Sequence, residues 1–183
     1  MVCPIRPSSS LRTFPNNHLT GQAIAQQHFP NWRYSPETYL LICLLHDIGT
    51  TDHNQNATQM SFEFYGGMLA HELLKQHNAP HAQYEAVAEA IIRHQDLGDT
   101  GNITTIGALT HFATVFDNAG KNPELVHEDT IKSVVQKYPR EGWTGCFAAV
   151  VRKEVDLKPW SHTTKIEGFA EMVEANKLME PYD

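Results

Sequence analysis

Apolar and polar positions follow the period of the α-helix in one segment of the chain after another. The segment from about Thr58 to Gln76 places Met60, Phe64 and Met68 on one stripe, which is the spacing of a helix with a single buried face. No stretch of the sequence shows the strict alternation typical of a half-buried strand. The pattern therefore predicts an all-α fold, a compact bundle of antiparallel helices.

Start and stop signals set the bounds of the other predicted helices. Ser35-Pro36 supplies a cap followed by a proline in the first turn, and Gly49 is expected to let the backbone turn where that helix stops. Ala119-Gly120 closes a later helix. The pattern places these further helices at about His81–His94, Thr104–Asn118, Asp129–Tyr138 and Trp143–Asp156.

The two ends of the chain fit the helical pattern less well. Pro7, Pro15 and the pair Asn16-Asn17 argue against a continuous helix near the N-terminus, because proline lacks an N–H and obstructs the preceding turn. A helix is expected only from about His18. The sequence thus predicts an irregular segment 1–20, a helical domain 21–164 and a tail 165–183 that forms one weak amphipathic helix.

Composition narrows the classes of protein to which the chain can belong. The 183 residues carry a net charge of −7, which argues against binding nucleic acid or an anionic membrane. No apolar run is long enough to span a bilayer, and the first residues lack the apolar core of a secretory signal. Three cysteines without C-x-x-C spacing predict reduced thiols and a cytoplasmic protein.

A His-Asp pair follows the apolar run LLICLL at the end of a predicted helix. Burying the carboxylate of Asp47 is costly unless it is paired or bound to a metal. A divalent cation held by His46 and Asp47 would offset that cost. A helix-terminal histidine beside a capping aspartate would explain the same two residues, and the pair alone leaves both interpretations open.

A second carboxylate lies on another apolar helix. Thr110, Thr114 and Asp117 share one face at spacings of four and three residues. Asp117 is either solvated at a frayed helix end or buried against a cation. His94 ends its own apolar stripe as His46 does, where it could interact with the helix dipole or contribute to a site.

Six ordered blocks of the sequence carry a more specific signal than a bare His-Asp pair, which is common. The blocks are CLLHDIGTTD, MSFEFYGG, IRHQDLGDTGNITTIG, ATVFDN, GWTGCFA and KPWSHTT. Together they resemble the cyanamide hydratases, a family in the HD-domain superfamily of metal-dependent hydrolases. The resemblance covers nearly everything from about Ala23 to Thr164.

The resemblance implies an HD-domain helical bundle that adds water to the nitrile of cyanamide, giving urea. It implies one Zn²⁺, with Fe²⁺ or Mn²⁺ as alternatives, held by His46, Asp47 and Asp117. His94 and Thr114 match positions that line the pocket and support catalysis. We expect a protonated His94 to donate to the nitrile nitrogen and Thr114 to orient the substrate or the water. The partner is then a small uncharged nitrile.

The N-terminal segment departs from the family pattern, in which an early helix supplies a further histidine ligand. Ser9 stands where that histidine is expected, and His18 is a candidate substitute. We therefore expect this segment to be altered or truncated relative to the family. A phosphohydrolase of the HD type and a weakly active or inactive relative are the alternative functions, and the sequence leaves open whether the chain forms a homo-oligomer. Glu63 could reach the site as a base, but a surface salt bridge is the role expected for it.

Overall fold

The computed structural model describes residues 7–96 and 100–183, with side chains from residue 16 onward. These residues form helices and loops with no strand, which confirms the all-α prediction. The α-helices are α1 Pro7–His28, α2 Pro36–Leu45, α3 Asp52–Ala57, α4 Phe62–Gln76, α5 His81–Arg93, α6 Thr105–Ala119, α7 Glu128–Lys137, α8 Trp143–Leu157 and α9 Phe169–Glu174.

Most helix ends lie within a residue or two of the predicted bounds because local side chains fix them. The Ser35 hydroxyl accepts a hydrogen bond from the backbone N–H of Thr38 at 3.2 Å, at the start of α2. At the start of α6, the Thr104 hydroxyl likewise accepts a hydrogen bond from the backbone N–H of Gly107. Gly120 ends α6 in the left-handed conformation, with φ of 63°, which favours glycine.

The prediction for the N-terminus was wrong, because α1 begins at Pro7 rather than near His18. Pro7 occupies a first-turn position, where a missing N–H costs nothing. Pro15 forfeits one backbone hydrogen bond inside the helix, and the packing of α1 against α2, α6 and α7 offsets that loss. The side chain of Ser9 lies outside the described residues.

Two other predicted helices are divided in the structure. The segment expected to be helical from about Thr58 starts only at Phe62, and the short helix α3 precedes it. The tail predicted as one helix consists of α9 flanked by 3₁₀ turns at His162–Lys165 and Glu180–Tyr182. Its aromatic and aliphatic side chains pack on α8, where Phe169 and Val173 join the cluster around Phe147. Tertiary packing therefore shapes this segment more than its local pattern does.

Apolar clusters bring the ends of three helices together. Ile42 of α2 packs with Val87 and Ile91 of α5, while Tyr39 of α2 packs with Phe116 of α6. These contacts bury both faces of α2 and set its C-terminal end beside the C-terminal end of α5. The predicted site residues lie at this junction.

The cysteines differ from the sequence expectation at one position. Cys43 is a free, buried thiol, as expected, whereas Cys146 is bonded in a disulfide. The prediction of reduced thiols is therefore wrong for Cys146. Within residues 7–96 and 100–183, no helix has the length and apolar character needed to cross a bilayer.

Candidate active site

The His-Asp pair sits where α2 ends. His46 closes the helix and Asp47 leaves it with φ of −98° and ψ of 12°, so the two side chains converge instead of diverging by the usual helical angle. The Nε2 atom of His46 lies 3.2 Å from Oδ2 of Asp47. Both residues are buried. The expected turn at the helix end is thus present.

Gly49 contributes to this turn through close approach rather than through an unusual φ. A Cβ atom on Gly49 would lie 2.1 Å from the carbonyl oxygen of Phe62, the first residue of α4. The absence of a side chain therefore allows the 3₁₀ turn Ile48–Thr50 to pack directly on α4. This packing holds the backbone that carries Asp47.

The hydrogen bonds of His46 orient its ring. Nδ1 lies 2.9 Å from the carbonyl oxygen of Cys43, to which it can donate, so Nε2 is the nitrogen that faces Asp47. Burial disfavours a charged imidazole, but the carboxylate of Asp47 outweighs burial and raises the pKa of His46. Burial likewise disfavours a charged Asp47, but His46 outweighs it and lowers the pKa of that carboxyl. Each side chain of the pair therefore favours the charged form of the other.

His94 ends α5 in the same manner, and its ring lies close to His46. Nδ1 of His94 lies 2.6 Å from the carbonyl oxygen of Ile91, and the two imidazole centroids are 5.4 Å apart, edge to face. Burial, reinforced by the charge of His46, lowers the pKa of His94 to about 4. His94 is therefore neutral at neutral pH, and the expected protonated donor is wrong for this environment. Its Nε2 atom is an acceptor.

An asparagine, rather than His18, reaches the pair from α1. The side-chain nitrogen of Asn17 lies 3.4 Å from Nε2 of His46, and the Tyr39 hydroxyl donates to the Asn17 carbonyl oxygen at 3.1 Å. His18 instead stacks on Tyr39, with ring centroids 5.5 Å apart. The sequence analysis gave Asn17 no role in a site, because the pair Asn16-Asn17 after Pro15 is typical of a loop.

Asp117 is buried on α6 as expected, and its partner is a guanidinium. Oδ1 of Asp117 accepts a hydrogen bond from Arg140, and the Arg140 side chain is itself almost fully buried. Arg140 also donates to Oδ1 of Asp183 at 3.0 Å. Burial raises the pKa of Asp117, although Arg140 opposes that shift. The apolar surroundings of Asp117 predicted a cation, and Arg140 supplies one.

Sequence reasoning missed Arg140. It stands in a loop between α7 and α8, far from Asp117 along the chain, and no periodicity marks it. The only available signal was the uncompensated charge of a carboxylate on an apolar helix. That signal requires a cation without indicating which one.

The donor atoms fit a divalent cation in their chemistry. Oδ1 of Asp47 and Oδ2 of Asp117 are buried and have no hydrogen-bond partner among the described residues, and Nε2 of His46, 3.2 Å from Oδ2 of Asp47, is a further potential ligand. Among the described residues, however, no three His, Cys, Asp or Glu side chains stand close enough to hold a metal ion together. The structure brings His46 and Asp47 together and holds Asp117 on Arg140.

A cavity of about 110 Å³ lies beside His94 and Thr114. Its walls combine α6 with apolar side chains of the C-terminal segment, Phe169 and Met172 among them. Thr114 is buried and its hydroxyl donates to the carbonyl oxygen of His111 at 3.1 Å, which leaves the hydroxyl oxygen as an acceptor. The cavity is far smaller than the roughly 300–1,000 Å³ typical of drug-sized ligands. It suits a molecule of a few heavy atoms.

Glu63 occupies a position unlike the one expected. Its side chain is 0% exposed, and Oε1 lies 2.8 Å from Nδ1 of His162. Burial raises the pKa of Glu63, although His162 opposes that shift. The prediction of a surface salt bridge is therefore wrong, because the 3₁₀ turn His162–Lys165 covers the start of α4. His162 also donates its backbone N–H to the Ser61 hydroxyl at 2.7 Å.

Comparison with known proteins places these features in a family. The profile of the HD domain matches residues 18–139. The chain is 47% identical over 156 residues to each of the cyanamide hydratases DDI2 and DDI3 of Saccharomyces cerevisiae, which covers 84% of this chain and 69% of each relative. The match includes the helix ends that carry His46 and His94. The chain belongs to the cyanamide hydratase family of HD-domain proteins.

Proposed function

We propose that the protein hydrates cyanamide, adding one water molecule across the nitrile to give urea. The observation that carries the proposal is the cavity of about 110 Å³ beside His94 and Thr114, in a chain of this family. A cavity of that size with a neutral imidazole and a hydroxyl in its wall suits a small uncharged nitrile better than a nucleotide.

We propose that a divalent metal, Zn²⁺ in the first instance, with Fe²⁺ or Mn²⁺ as alternatives, would be held by His46, Asp47 and Asp117. These three side chains would have to come closer together than they are in this structure. A bound ion of this kind lowers the pKa of a water ligand and so supplies a nucleophile at neutral pH. Asp117 would use Oδ2, because Oδ1 is held by Arg140. Asn17 of α1 lies beside Nε2 of His46, and the family pattern implies a histidine ligand from an early helix such as this one.

The roles of the pocket residues follow from their hydrogen bonds. Nδ1 of His94 is committed to the Ile91 carbonyl, so Nε2 accepts the proton released by the attacking water and returns it to the nitrile nitrogen. The Thr114 oxygen accepts a hydrogen bond from the amino group of cyanamide or from the water. These two residues are the proposed catalytic residues of this chain.

The phosphohydrolase alternative would require cations to neutralise phosphate oxygens. The two arginines nearest the site are already engaged: Arg140 with Asp117 and Asp183, and Arg93 with Asp96 and Glu89. Lys121 lies on the cavity wall and is the cation available to such a substrate. Phosphate release is therefore the competing outcome to measure.

The test measures urea release from cyanamide and phosphate release from bis(4-nitrophenyl) phosphate, with metal content determined on the same samples. We expect urea without phosphate, at a rate that falls after chelation and returns with Zn²⁺. His94→Gln should lower kcat by about 10²–10⁴-fold, the usual contribution of a positioned acid-base group.

The matched control is His81→Gln, which alters an exposed histidine paired with Glu85 and should leave turnover unchanged. Phosphate release without urea would favour the phosphohydrolase. A metal-free sample that releases neither product would identify an inactive relative. The cytoplasmic location stays a prediction from the sequence.

A further inference from the structure

Gln95 is a buried amide next to His94 with nothing to bond to. Its side chain lines the cavity that also contacts Thr114, and the residue is only 5% exposed. Neither Oε1 nor Nε2 has a hydrogen-bond partner among the described residues. An amide can donate two hydrogen bonds and accept two, so the hydrogen-bonding capacity of this side chain is unused within the described residues.

A second buried glutamine, Gln55, makes the hydrogen bonds expected of an amide that stabilises the fold. Gln55 is 2% exposed, and its Nε2 atom donates to the carbonyl oxygen of Val150 and to Oε2 of Glu154, each at 3.2 Å. Buried polar groups are almost always satisfied in this way. Gln95 is not satisfied in this way, and neither is the buried amide of Asn16. Of these two amides, Gln95 is the one that lines the cavity, where a bound ligand would supply the missing partners.

Other polar groups on the cavity wall already have assigned hydrogen bonds. Oδ1 of Asn118 accepts from Nε1 of Trp143 at 3.0 Å, and the Thr114 hydroxyl donates to the His111 carbonyl. Gln95 alone among these three makes no hydrogen bond within the described residues. His94 lines the same cavity, so a ligand bound to Gln95 there lies near the imidazole.

Building on the proposed function, we propose that Gln95 binds the N–C–N unit of the substrate and determines specificity for it. Oε1 accepts a hydrogen bond from the amino group, and Nε2 donates to the nitrile nitrogen where negative charge develops during addition of water. Urea, in which the nitrile nitrogen has become a second amino group, fits the same amide once it turns in the cavity, with its carbonyl oxygen on Nε2 and one N–H on Oε1. Gln95 is thus complementary to substrate and product alike.

The test compares Gln95→Met with Gln55→Met. Methionine matches glutamine in length but makes no comparable hydrogen bonds, so Gln95→Met should lower kcat/KM for cyanamide by about 10- to 100-fold, the loss of two hydrogen bonds. The melting temperature should stay the same or rise, because the replaced amide makes no bond within the protein. Gln55→Met should lower the melting temperature and leave the activity of the folded fraction unchanged.

A second measurement is independent of turnover. The side-chain amide signals of Gln95, assigned by their disappearance in Gln95→Met, should shift in ¹H–¹⁵N NMR spectra when millimolar urea is added. A melting temperature of Gln95→Met below wild type, unchanged kcat/KM, or amide signals that ignore urea would each overturn the assignment. If wild type releases no urea from cyanamide, the proposed function fails, while the urea titration still decides whether Gln95 binds an N–C–N ligand.

Discussion

At the scale of single residues, the two histidines of the site are oriented by the same local hydrogen bond. Each ends a helix, and Nδ1 of each bonds the carbonyl oxygen three residues earlier, in His46 with Cys43 and in His94 with Ile91. This fixes the rings and turns both Nε2 atoms toward the site. Their pKa values nevertheless shift in opposite directions, because the carboxylate of Asp47 outweighs burial at His46, whereas burial and the neighbouring His46 both lower the pKa of His94.

The low pKa of His94 predicts how stability depends on pH. Its folded value of about 4 lies below the unfolded value of about 6.5, so the unfolded chain binds more protons between these values. Stability should therefore fall as pH drops from about 6.5 toward 4, by at most about 3 kcal/mol from this residue. The measurement is the free energy of unfolding of chelator-treated protein at pH 7 and pH 4.5.

His94→Gln serves as the control for that measurement. The variant should lose less stability than wild type over the same pH interval, since His46 and Asp117 titrate in both proteins. Parallel losses in the two proteins would contradict the assignment of a depressed pKa to His94.

At the scale of elements, helix bounds were predictable where the sequence carries its own cap. Ser35, Thr104 and Gly120 act within one turn of the residues they satisfy, so a short window contains the whole cause. The start of α1 at Pro7 was not predictable in this way, because the packing that offsets Pro15 comes from α2, α6 and α7. Local signals and distant packing thus decide different helix ends.

Replacement of glycine by alanine is expected to have opposite effects on stability at two positions, Gly49 and Gly145. Gly49→Ala should destabilise the protein by about 2–3 kcal/mol or more, because its Cβ would lie 2.1 Å from the Phe62 carbonyl oxygen and overpacking shifts backbone. Gly145→Ala in α8 meets nothing within 4 Å and should stabilise by about 0.5–1 kcal/mol through the better helix propensity of alanine. Urea denaturation of both variants checks the contrast. Similar signs for the two would contradict the packing of the 3₁₀ turn on α4.

At the scale of the whole molecule, buried charges join segments that are far apart in sequence. Arg140 links Asp117 of α6 to Asp183, and the Asn176 side chain donates to the Asp117 carbonyl oxygen at 2.9 Å. The C-terminal segment is therefore fastened to the helix that carries a proposed metal ligand. The same segment supplies Phe169 and Met172 to the cavity wall.

Replacement of Arg140 should destabilise the protein, because it leaves the buried carboxylate of Asp117 without a counter-ion. Arg140→Met is expected to reduce the free energy of unfolding by about 3–5 kcal/mol, measured by urea denaturation in the presence of chelator. Adding Asp117→Asn should recover much of that loss, since the uncompensated charge is then gone.

The control for Arg140 is Arg152→Met. Arg152, like Arg140, pairs with two carboxylates, here those of Glu171 and Glu174, but the Arg152 side chain is 43% exposed. Solvent screens such pairs, so the loss should stay below about 1 kcal/mol. Equal losses for Arg140→Met and Arg152→Met would show that burial does not strengthen the Asp117 pair.

The sequence by itself determined most of the helices and the placement of His46 and His94 at helix ends, because periodicity and caps act over a few residues. Only the tertiary structure decided that Arg140 is the partner of Asp117, that Asn17 reaches His46, that Glu63 is buried on His162, and that Gln95 stays unpaired. These are contacts between elements distant along the chain. Side-chain pairing across such distances depends on how whole helices pack, which no local pattern contains.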